Sequence, residues 1–306
     1  MQEIKTVSII GLGALGVLFG HQIQKNAGDY ELRIIADKSR IERYHKESIY
    51  SNDELCEFHY VTPEEKTNPS DLIIFTVKYS GLEQAIKDVR SQIGEKTIII
   101  SALNGISSEG IIGRTYGMDK IVYCVAQKMD AVKVGNQLNY VHMGELCIGD
   151  IEPGVISEKT ESVARFFEKA KVPYDIDKEM KKRMWGKFML NVGINQTVAV
   201  YGQSFRDVQK EGPVREIMIS AMKEVIRLSE CEGINLGEAD LKYWLDIADS
   251  LGPDSMPSMR QDVVAKRPSE LELFAGTVLE LGTKYGIETP VNKDLYDKMK
   301  ELEAAY

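Results

Sequence analysis

The feature that most constrains this chain is a glycine-rich turn near its start, where glycines recur in the spacing GxGxxG. Six residues form the turn: Gly11, Leu12, Gly13, Ala14, Leu15 and Gly16. The apolar run 6–10 before it predicts a short buried strand, and apolar residues at helical spacing over 14–25 predict a helix after it. A strand, a tight turn and a helix in this order are typical of the first unit of an α/β sheet that binds a dinucleotide.

Each glycine of the turn has a physical purpose in that arrangement. Gly11 permits the tight bend, Gly13 lets the backbone approach a pyrophosphate without a Cβ in the way, and Gly16 allows close packing of helix on strand. The helix N-terminus then offers amide donors and a positive dipole to the phosphates. Because glycines also mark ordinary turns, the position between a buried strand and a helix decides the interpretation. We expect all six residues to bind a nicotinamide dinucleotide.

The end of the second predicted strand, 31–36, bears on which nucleotide binds. Asp37 lies 21 residues beyond Gly16, where a carboxylate would accept a hydrogen bond from the ribose 2′-hydroxyl of NAD. Lys38 and Arg40 follow, and both would pair with the 2′-phosphate of NADP if Asp37 turned aside. In a third alternative Asp37 caps the next helix and the two cations are solvated. The sequence leaves all three open.

Two further strand ends carry candidate ligands, because ligands of open α/β sheets bind beyond the carboxyl ends of the strands. Lys78 follows the apolar run 72–75, and Asn104 follows the run 97–100. We expect Lys78 to face the phosphates or ribose of the nucleotide, and Asn104 to lie near the nicotinamide ribose and the substrate. The alternatives are a surface lysine and a simple Asn-Gly turn.

The remaining pattern divides the chain in two. Segments 124–134, 137–143 and 145–148 are separated by tight turns and predict antiparallel strands that extend the first sheet. A helix at 157–171 and a strand at 172–176 follow. From there on, five helices are predicted: 178–200, 213–231, 237–250, 269–285 and 291–304.

The predicted fold is therefore an α/β N-terminal Rossmann-type domain with a mainly parallel sheet, at 1–177, and an all-α C-terminal domain, at 178–306. The second domain is expected to bind substrate and to hold the contact of a homodimer. Four apolar residues of one predicted helix fit either a core or a contact surface: Leu241, Trp244, Leu245 and Ile247.

Composition narrows the class of protein. The net charge of -9 argues against nucleic acid or an anionic membrane as a partner, because both need clustered Lys and Arg. The four cysteines form no CxxC pair and the four histidines show no ligand spacing, so we expect neither disulfides nor a metal. The apolar stretch 7–19 is interrupted by glycines and lacks the flanks of a signal peptide. We expect a cytoplasmic protein.

A second candidate site lies on the long helix predicted from 178. Lys187, Asn191 and Asn195 are spaced i, i+4, i+8, so they form one face, called here the polar stripe. Their neighbours are strongly apolar, which makes a cation and two amides costly unless they meet a polar ligand. Alternatively the amides satisfy backbone groups and Lys187 extends to solvent. Reduction of a ketone needs a proton for the developing alkoxide, and a lysine ammonium can supply one.

Several of these motifs together resemble a known family. They are GLGALG at 11–16, Lys78, LNG at 103–105, WGKFMLNVGIN at 185–195, SMRQD at 258–262, and Glu270. In order and spacing the chain resembles the ketopantoate reductase (2-dehydropantoate 2-reductase) family along nearly its whole length. The resemblance implies NADPH-dependent reduction of 2-dehydropantoate to (R)-pantoate, in pantothenate and coenzyme A biosynthesis.

The resemblance also implies residue roles. Two positions match catalytic residues: Lys187 matches the general acid, and Glu270 matches the acidic residue that contacts the ligands, the cofactor among them. Asn191, Asn195 and Ser258 match substrate-binding positions, which Lys187 and Asn104 share. Lys78, Asn104 and Ala126 match cofactor-contacting positions.

The sequence departs from the family pattern in two places. Asp37 stands where the family often has an arginine, which makes NADH an alternative to NADPH. The loop 201–205 lacks an expected asparagine, which makes another small 2-oxo acid an alternative substrate. A protein of another class, a non-catalytic NAD(P)H sensor, would bind the nucleotide without a need for Lys187.

Overall fold

A computed structural model describes residues 3–26 and 28–306. The chain divides into two compact units, one ending at Met180 and the other spanning Lys181–Tyr306. The strands, in chain order, are β1 (Thr6–Ile10), β2 (Glu31–Ile35), β3 (Tyr50–Ser51), β4 (Glu54–Leu55), β5 (His59–Val61), β6 (Leu72–Phe75), β7 (Ile98–Ser101), β8 (Ile121–Gln127), β9 (Val132–Val134), β10 (Gln137–Asn139), β11 (Glu145–Gly149) and β12 (Tyr174–Ile176).

The main sheet of the first unit has eight strands in the order β12-β11-β8-β7-β6-β1-β2-β5. From β5 to β8 every neighbouring pair is parallel. Only β11 pairs antiparallel, with β8, and β12 is parallel to β11. The central strands β6 and β7 are buried along their whole length, as their continuous apolar runs require in a sheet covered on both faces. The predicted mainly parallel sheet is confirmed.

In the part of this unit that the structure describes there are five α-helices: α1 (Ala14–Asn26), α2 (Lys38–Glu47), α3 (Leu82–Asp88), α4 (Ser108–Tyr116) and α5 (Glu158–Lys169). Strand side chains alternate between two apolar clusters. On one face Ile9 and Ile74 pack with residues of α1 and α5. On the other, Ile10 and Phe75 pack with residues of α3 and α4. The result is a helix-sheet-helix arrangement of three layers.

One part of the predicted sheet is wrong. The sequence predicts that the three segments 124–134, 137–143 and 145–148 extend the main sheet, but of the strands in these segments only β8 and β11 do so. The strands β9 and β10 form the predicted hairpin, yet β10 pairs on its other edge with β3, in a separate sheet of order β4-β3-β10-β9. Strands of two or three residues are too short to show an alternation pattern, so the sequence gives no sign of this second sheet.

The second unit is helical. Its helices are α6 (Met180–Tyr201, whose first residue closes the first unit), α7 (Arg206–Gln209), α8 (Pro213–Cys231), α9 (Glu238–Ser250), α10 (Ser258–Val264), α11 (Thr277–Tyr285) and α12 (Pro290–Glu303). The predicted helix 269–285 in fact starts at Glu272 with a π-helical segment, Glu272–Gly276, before α11. Among residues 3–26 and 28–306, no helix has both the length and the apolar character to cross a bilayer.

Two glycines explain how α6 becomes the central helix of this unit. A Cβ at Gly186 would lie 2.1 Å from Nε1 of Trp244, in α9. A Cβ at Gly193 would lie 2.5 Å from Cγ of Met222, in α8. The bare backbone of α6 therefore packs against α8 and α9. At 100° per residue this glycine face lies about 150° around the helix from the polar stripe.

A buried polar network fixes α12 against the same core. Glu224 of α8 is 3% exposed, and its carboxylate accepts hydrogen bonds from the backbone N–H groups of Val291 (2.9 Å) and Asn292 (3.0 Å). Gln196 of α6 donates from Nε2 to Oδ1 of Asn292 at 3.1 Å. Because unpaired helix-terminal N–H groups are costly when buried, Glu224 completes the start of α12.

Candidate active site

The topology places the glycine turn at the point where the chain stops adding strands on one side of β1 and starts adding them on the other. From β1 the chain moves to β2 and β5 on one side, then returns to β6, β7 and β8 on the other. In open α/β sheets the crevice beyond the carboxyl ends of the strands at this point is where ligands bind. The turn after β1 occupies that crevice.

The geometry of the turn shows what each glycine does. Gly11 has φ +99°, and a Cβ there would lie 2.8 Å from the backbone nitrogen of Val77. A Cβ at Gly16 would lie 1.9 Å from the carbonyl oxygen of Gly11, so α1 packs directly on the turn. Gly13 differs from both, since it is exposed and its Cβ position meets nothing closer than the carbonyl oxygen of Thr76, at 3.7 Å. Space outside Gly13 is open.

Thr76 holds the turn, and sequence reasoning did not single it out. Its single hydroxyl hydrogen is shared between two carbonyl oxygens, that of Gly11 at 2.6 Å and that of Ile10 at 3.1 Å. The only sequence signal is its place directly after β6, the strand next to β1. The end of β6 thus supports the glycine turn and also leads into Lys78.

Asp37 takes the capping role. Its Oδ1 accepts a hydrogen bond from the backbone N–H of Arg40 at 2.9 Å, which makes it the N-cap of α2. The Nε of Arg40 lies 3.3 Å from Oδ2, and the Asp37 side chain is 52% exposed. Lys38 is exposed. The carboxylate therefore caps the helix and also stays open to solvent at the carboxyl end of β2.

The remaining candidates of the first unit follow the same edge. Lys78 is exposed beyond β6, and Asn104 is partly buried beyond β7, next to Gly105 at φ +88°. Ala126 is buried near the carboxyl end of β8. Since β2, β1, β6, β7 and β8 are neighbours in that order, Asp37, the turn, Lys78, Asn104 and Ala126 line the edge in sequence. The fold brings these positions together along one row.

In the second unit, hydrogen bonds join the candidate substrate residues. Ser258, the first residue of α10, donates from Oγ to Oδ1 of Asn195 at 3.2 Å. Asn195 donates from Nδ2 to Oδ1 of Asn191 at 3.3 Å. Asn191 is 8% exposed and Asn195 is 5% exposed, whereas Ser258 lies at the surface. Sequence reasoning did not predict α10, a helix of seven residues, although it did select Ser258.

Lys187 stands out on its helix. Every residue from Met184 to Ala199 is buried except Lys187, which is partly exposed. It lies one turn before Asn191, so the polar stripe runs from a cation at its more open end to amides in the interior. Glu270 is also partly buried, and its carbonyl oxygen accepts from the N–H groups of Leu273 and Phe274. It therefore sits at the start of the π-helical segment; such segments are frequent at functional sites.

The loop after α6 is organised by a residue that sequence reasoning missed. Oδ2 of Asp207 accepts hydrogen bonds from the backbone N–H groups of Gln203 (2.7 Å) and Ser204 (3.2 Å). These backbone hydrogen bonds hold the pKa of Asp207 below its usual range. The loop that lacks the expected asparagine is thus ordered by a carboxylate of α7.

Comparison with known proteins identifies the family. Residues 7–153 match the family model described as ketopantoate reductase PanE/ApbA, and residues 179–303 match the model of the C-terminal part of the same family. The chain belongs to the ketopantoate reductase family. It is accordingly an oxidoreductase with a Rossmann-type NAD(P)-binding domain, which confirms the resemblance seen in the sequence motifs.

Individual relatives cover nearly the whole chain. A 2-dehydropantoate 2-reductase of Aquifex aeolicus (strain VF5) is 25% identical over 301 residues, 96% of each protein. A D-mandelate dehydrogenase solved with NADH and anilino(oxo)acetate superposes with a TM-score of 0.86 at 22% identity, covering 98% of both chains. A dimeric ketopantoate reductase from Staphylococcus aureus superposes with a TM-score of 0.82 at 20% identity, covering 98% of this chain and 99% of that one. The superpositions show a shared fold.

Proposed function

We propose that this protein reduces the C2 ketone of a small 2-oxo acid to the 2-hydroxy acid, and that 2-dehydropantoate, reduced to (R)-pantoate, is its substrate in pantothenate and coenzyme A biosynthesis. The observation that carries the proposal is the hydrogen-bonded row Ser258, Asn195 and Asn191, with Lys187 one helical turn further on. A cation and aligned amides inside an apolar helix suit a small polar anion with a reacting carbonyl group.

The residues of the first unit fit a dinucleotide. The open space outside Gly13 would admit the pyrophosphate, and the first-turn N–H groups of α1 would donate to it. Lys78, Asn104 and Ala126 follow along the edge in the direction of the nicotinamide. When bound, the reduced nicotinamide supplies a hydride.

The residues of the second unit would complete the reaction. As the carbonyl carbon gains the hydride, its oxygen becomes an alkoxide, and the ammonium of Lys187 would donate a proton to it and recover one from solvent. Before transfer, the same positive charge stabilises the developing oxyanion. Ser258, Asn195 and Asn191 would orient the carboxylate and hydroxyl groups, since Nδ2 of Asn195 carries a second hydrogen beyond the one donated to Asn191. Glu270 would accept hydrogen bonds from hydroxyl groups of substrate and ribose.

We further propose that the enzyme accepts NADH as well as NADPH. The Asp37 carboxylate would accept from the ribose 2′-hydroxyl of NADH and would repel the 2′-phosphate of NADPH. Arg40 offsets part of that repulsion, because its Nε already lies 3.3 Å from Asp37. The carboxylate lowers the preference for NADPH that the family resemblance implies.

The decisive experiment follows oxidation of NADH and of NADPH with 2-dehydropantoate and with a panel of other 2-oxo acids, phenylglyoxylate among them. In Lys187→Ala we expect kcat to fall by about 10²- to 10⁴-fold. The matched control is Lys182→Ala, on the same helix, where the lysine pairs with Asp240 at 2.9 Å and turnover should be retained. Near-native turnover in Lys187→Ala would overturn the catalytic role.

The substrate panel separates the proposed reaction from its alternatives. A higher kcat/KM for another 2-oxo acid than for 2-dehydropantoate would make the protein a reductase of that acid. The D-mandelate dehydrogenase with the same fold makes phenylglyoxylate the specific competitor to include. Nucleotide binding without oxidation by any 2-oxo acid would indicate a sensor.

We also propose that the protein forms a homodimer, as the fold relative from Staphylococcus aureus does. Of the four apolar residues of α9 considered above, Leu241 and Trp244 are buried within the chain, so they serve the core. Leu245 and Ile247 are partly exposed and remain available for a contact between copies. Light scattering after size exclusion would give twice the chain mass of 34.4 kDa; a monomer would contradict the proposal.

A further inference from the structure

The loop that carries Asn104 is closed at its base by two serines. Ser101 ends β7 and Ser108 begins α4, and their Oγ atoms lie 2.8 Å apart. The six residues 102–107 between them form the loop. The loop backbone also hydrogen-bonds to one of these serines, because the N–H of Leu103 donates to Oγ of Ser101 at 3.4 Å.

The hydrogen bonds of this closure form a short chain. Ser108 donates from Oγ to Oε2 of Glu109 at 3.0 Å, which uses its single hydroxyl proton while the carboxyl proton, when present, is on the other oxygen. In that arrangement Ser101 is the donor in the contact with Ser108, where the geometry allows either hydroxyl to donate. The chain runs from the N–H of Leu103 through Ser101 and Ser108 to the carboxyl group of Glu109, and each bond polarises the next.

Glu109 is an unusual terminus for such a chain. It is 2% exposed, and burial raises its pKa to about 7, against the opposing effect of hydrogen bonds from its own backbone and from Ser108. The elements packed against α4 include β8, which contributes the titratable Tyr123, whose own pKa is raised by burial and by the charge of Glu109. Within the described residues, α3, β7 and the turn Met118–Lys120 contribute no charge that shifts the pKa of Glu109.

We propose that Ser101, Ser108 and Glu109 are positioning residues that hold the Asn104 loop in its nucleotide-binding shape while Glu109 is protonated, and loosen it when Glu109 ionises. A neutral carboxyl group is compatible with this buried place, whereas a carboxylate there needs water or a rearrangement of its donors. Either change competes with the contact between Ser101 and Ser108. This inference rests on the proposed function in one respect, the contact between Asn104 and the nucleotide.

The experiment measures the Kd of NADH, by the fluorescence of the reduced nicotinamide, between about pH 6 and pH 8.5; NADPH is avoided because a phosphate monoester titrates near pH 6. In the wild-type protein we expect the Kd to rise by about fivefold to tenfold across this range, since one linked proton allows at most tenfold per pH unit. If only NADPH binds, the difference between wild type and Glu109→Gln gives the same information, because the phosphate titrates in both.

Three variants distinguish positioning from general stability. Glu109→Gln keeps an acceptor for Ser108 but cannot ionise, so its Kd should stay within about twofold over the range. The matched control Glu83→Gln removes an exposed first-turn carboxylate from α3 and should keep the wild-type profile. Ser108→Ala breaks the chain and should show, already at low pH, the weaker Kd that the wild type reaches at high pH.

A flat wild-type profile, or the same slope in Glu109→Gln as in the wild type, would overturn the inference. So would a normal, pH-dependent Kd in Ser108→Ala. These outcomes are separate from failure of the proposed function: no turnover with any 2-oxo acid would refute the reaction and leave the NADH titration readable. Asn104→Ala tests the premise shared with the proposed function: an unchanged Kd in that variant would overturn the inference and the proposed contact of Asn104, whereas the proposed reaction is tested separately by turnover.

Discussion

Asp37 shows how one side chain serves folding and recognition together. Its Oδ1 caps α2, which satisfies one of the N–H groups that a helix start leaves without an internal partner. Because the cap fixes the side chain at the carboxyl end of β2, the same contact sets where its negative charge stands. The capping alternative and the ribose alternative are therefore compatible, and only a change that removes the charge but keeps the cap can separate them.

Asp37→Asn is that change, because asparagine caps helices as well as aspartate does. Without the carboxylate, Arg40 loses its partner at 3.3 Å and becomes able to pair with a 2′-phosphate. We expect the ratio of kcat/KM for NADPH to that for NADH to rise about tenfold, equivalent to about 1.4 kcal/mol. Steady-state rates with both nucleotides measure this ratio.

The control for this prediction is Glu42→Gln, which removes one negative charge from an exposed position of the same helix. It should leave the ratio unchanged, since Glu42 stands more than a helical turn beyond the cap on the exposed surface of α2, where salt weakens its effect. If Asp37→Asn also leaves the ratio unchanged, Asp37 is a helix cap and has no part in choosing the nucleotide.

At the scale of elements, the way α6 packs determines where its candidate catalytic and substrate-binding side chains point. Its glycine face lets α8 and α9 approach closely, and this contact fixes the rotation of the helix about its axis. That rotation in turn decides where the polar stripe points. Gly186 directly precedes Lys187, so the tightest packing contact of the helix lies next to the proposed proton donor.

Gly186→Ala should therefore destabilise the second unit. The new Cβ would lie 2.1 Å from Nε1 of Trp244, and overpacking against a rigid ring costs about 1–3 kcal/mol, partly offset by the better helix propensity of alanine. Gly193→Ala should cost less, because flexible Met222 can adjust. Urea unfolding followed by tryptophan fluorescence is the measurement, since both tryptophans, Trp185 and Trp244, lie in this unit.

The matched control is Gly237→Ala, at the start of α9, where an added Cβ meets nothing within 4 Å. It should change the free energy of unfolding by no more than the difference between glycine and alanine at a helix cap, about 1 kcal/mol. Equal stability of Gly186→Ala and the wild type would show that the Trp244 contact does not set the position of α6.

Sequence reasoning predicted correctly those elements whose sequence pattern lies within the element itself. The parallel strands appear as continuous apolar runs, and Pro213–Cys231 was predicted with its true ends because periodicity and a starting proline coincide there. It failed for β3 and β4, which are too short for any pattern, for the pairing of the predicted β9-β10 hairpin with β3, and for the seven-residue α10. The π-helical segment before α11 also gave no signal, because it continues the helical periodicity.

In the candidate site, too, sequence reasoning found the residues that have a local spacing pattern and missed those that are positioned by long-range contacts. The glycine turn, the strand ends and the polar stripe have spacings that can be recognised within a few residues. Thr76 supports Gly11 across 65 positions of sequence, and Ser101 meets Ser108 only because a loop folds back on itself. Such contacts are set by the topology of the sheet, so no local pattern can predict them.

At the scale of the whole molecule, the two units divide the proposed work. The residues expected to hold the nucleotide, apart from Glu270, precede Met180, and the residues expected to bind and protonate the 2-oxo acid, apart from Asn104, follow it. Each unit has its own interior, a layered sheet in one case and a helix cluster around α6 in the other. Nucleotide binding and ketone chemistry should consequently be separable by single substitutions.

Two variants test that division by calorimetry with and without NADH. At nucleotide concentrations about 100-fold above Kd, binding stabilises the folded protein by about 2.7 kcal/mol. Lys187→Ala should keep the full rise in Tm while losing turnover. Gly13→Ala should fold with nearly the wild-type Tm, since its Cβ would meet only the carbonyl oxygen of Thr76 at 3.7 Å, but should lose most of the rise because the Cβ occupies the space proposed for the pyrophosphate. A full rise in Gly13→Ala would place the nucleotide elsewhere, and loss of the rise in Lys187→Ala would show that Lys187 also holds the nucleotide.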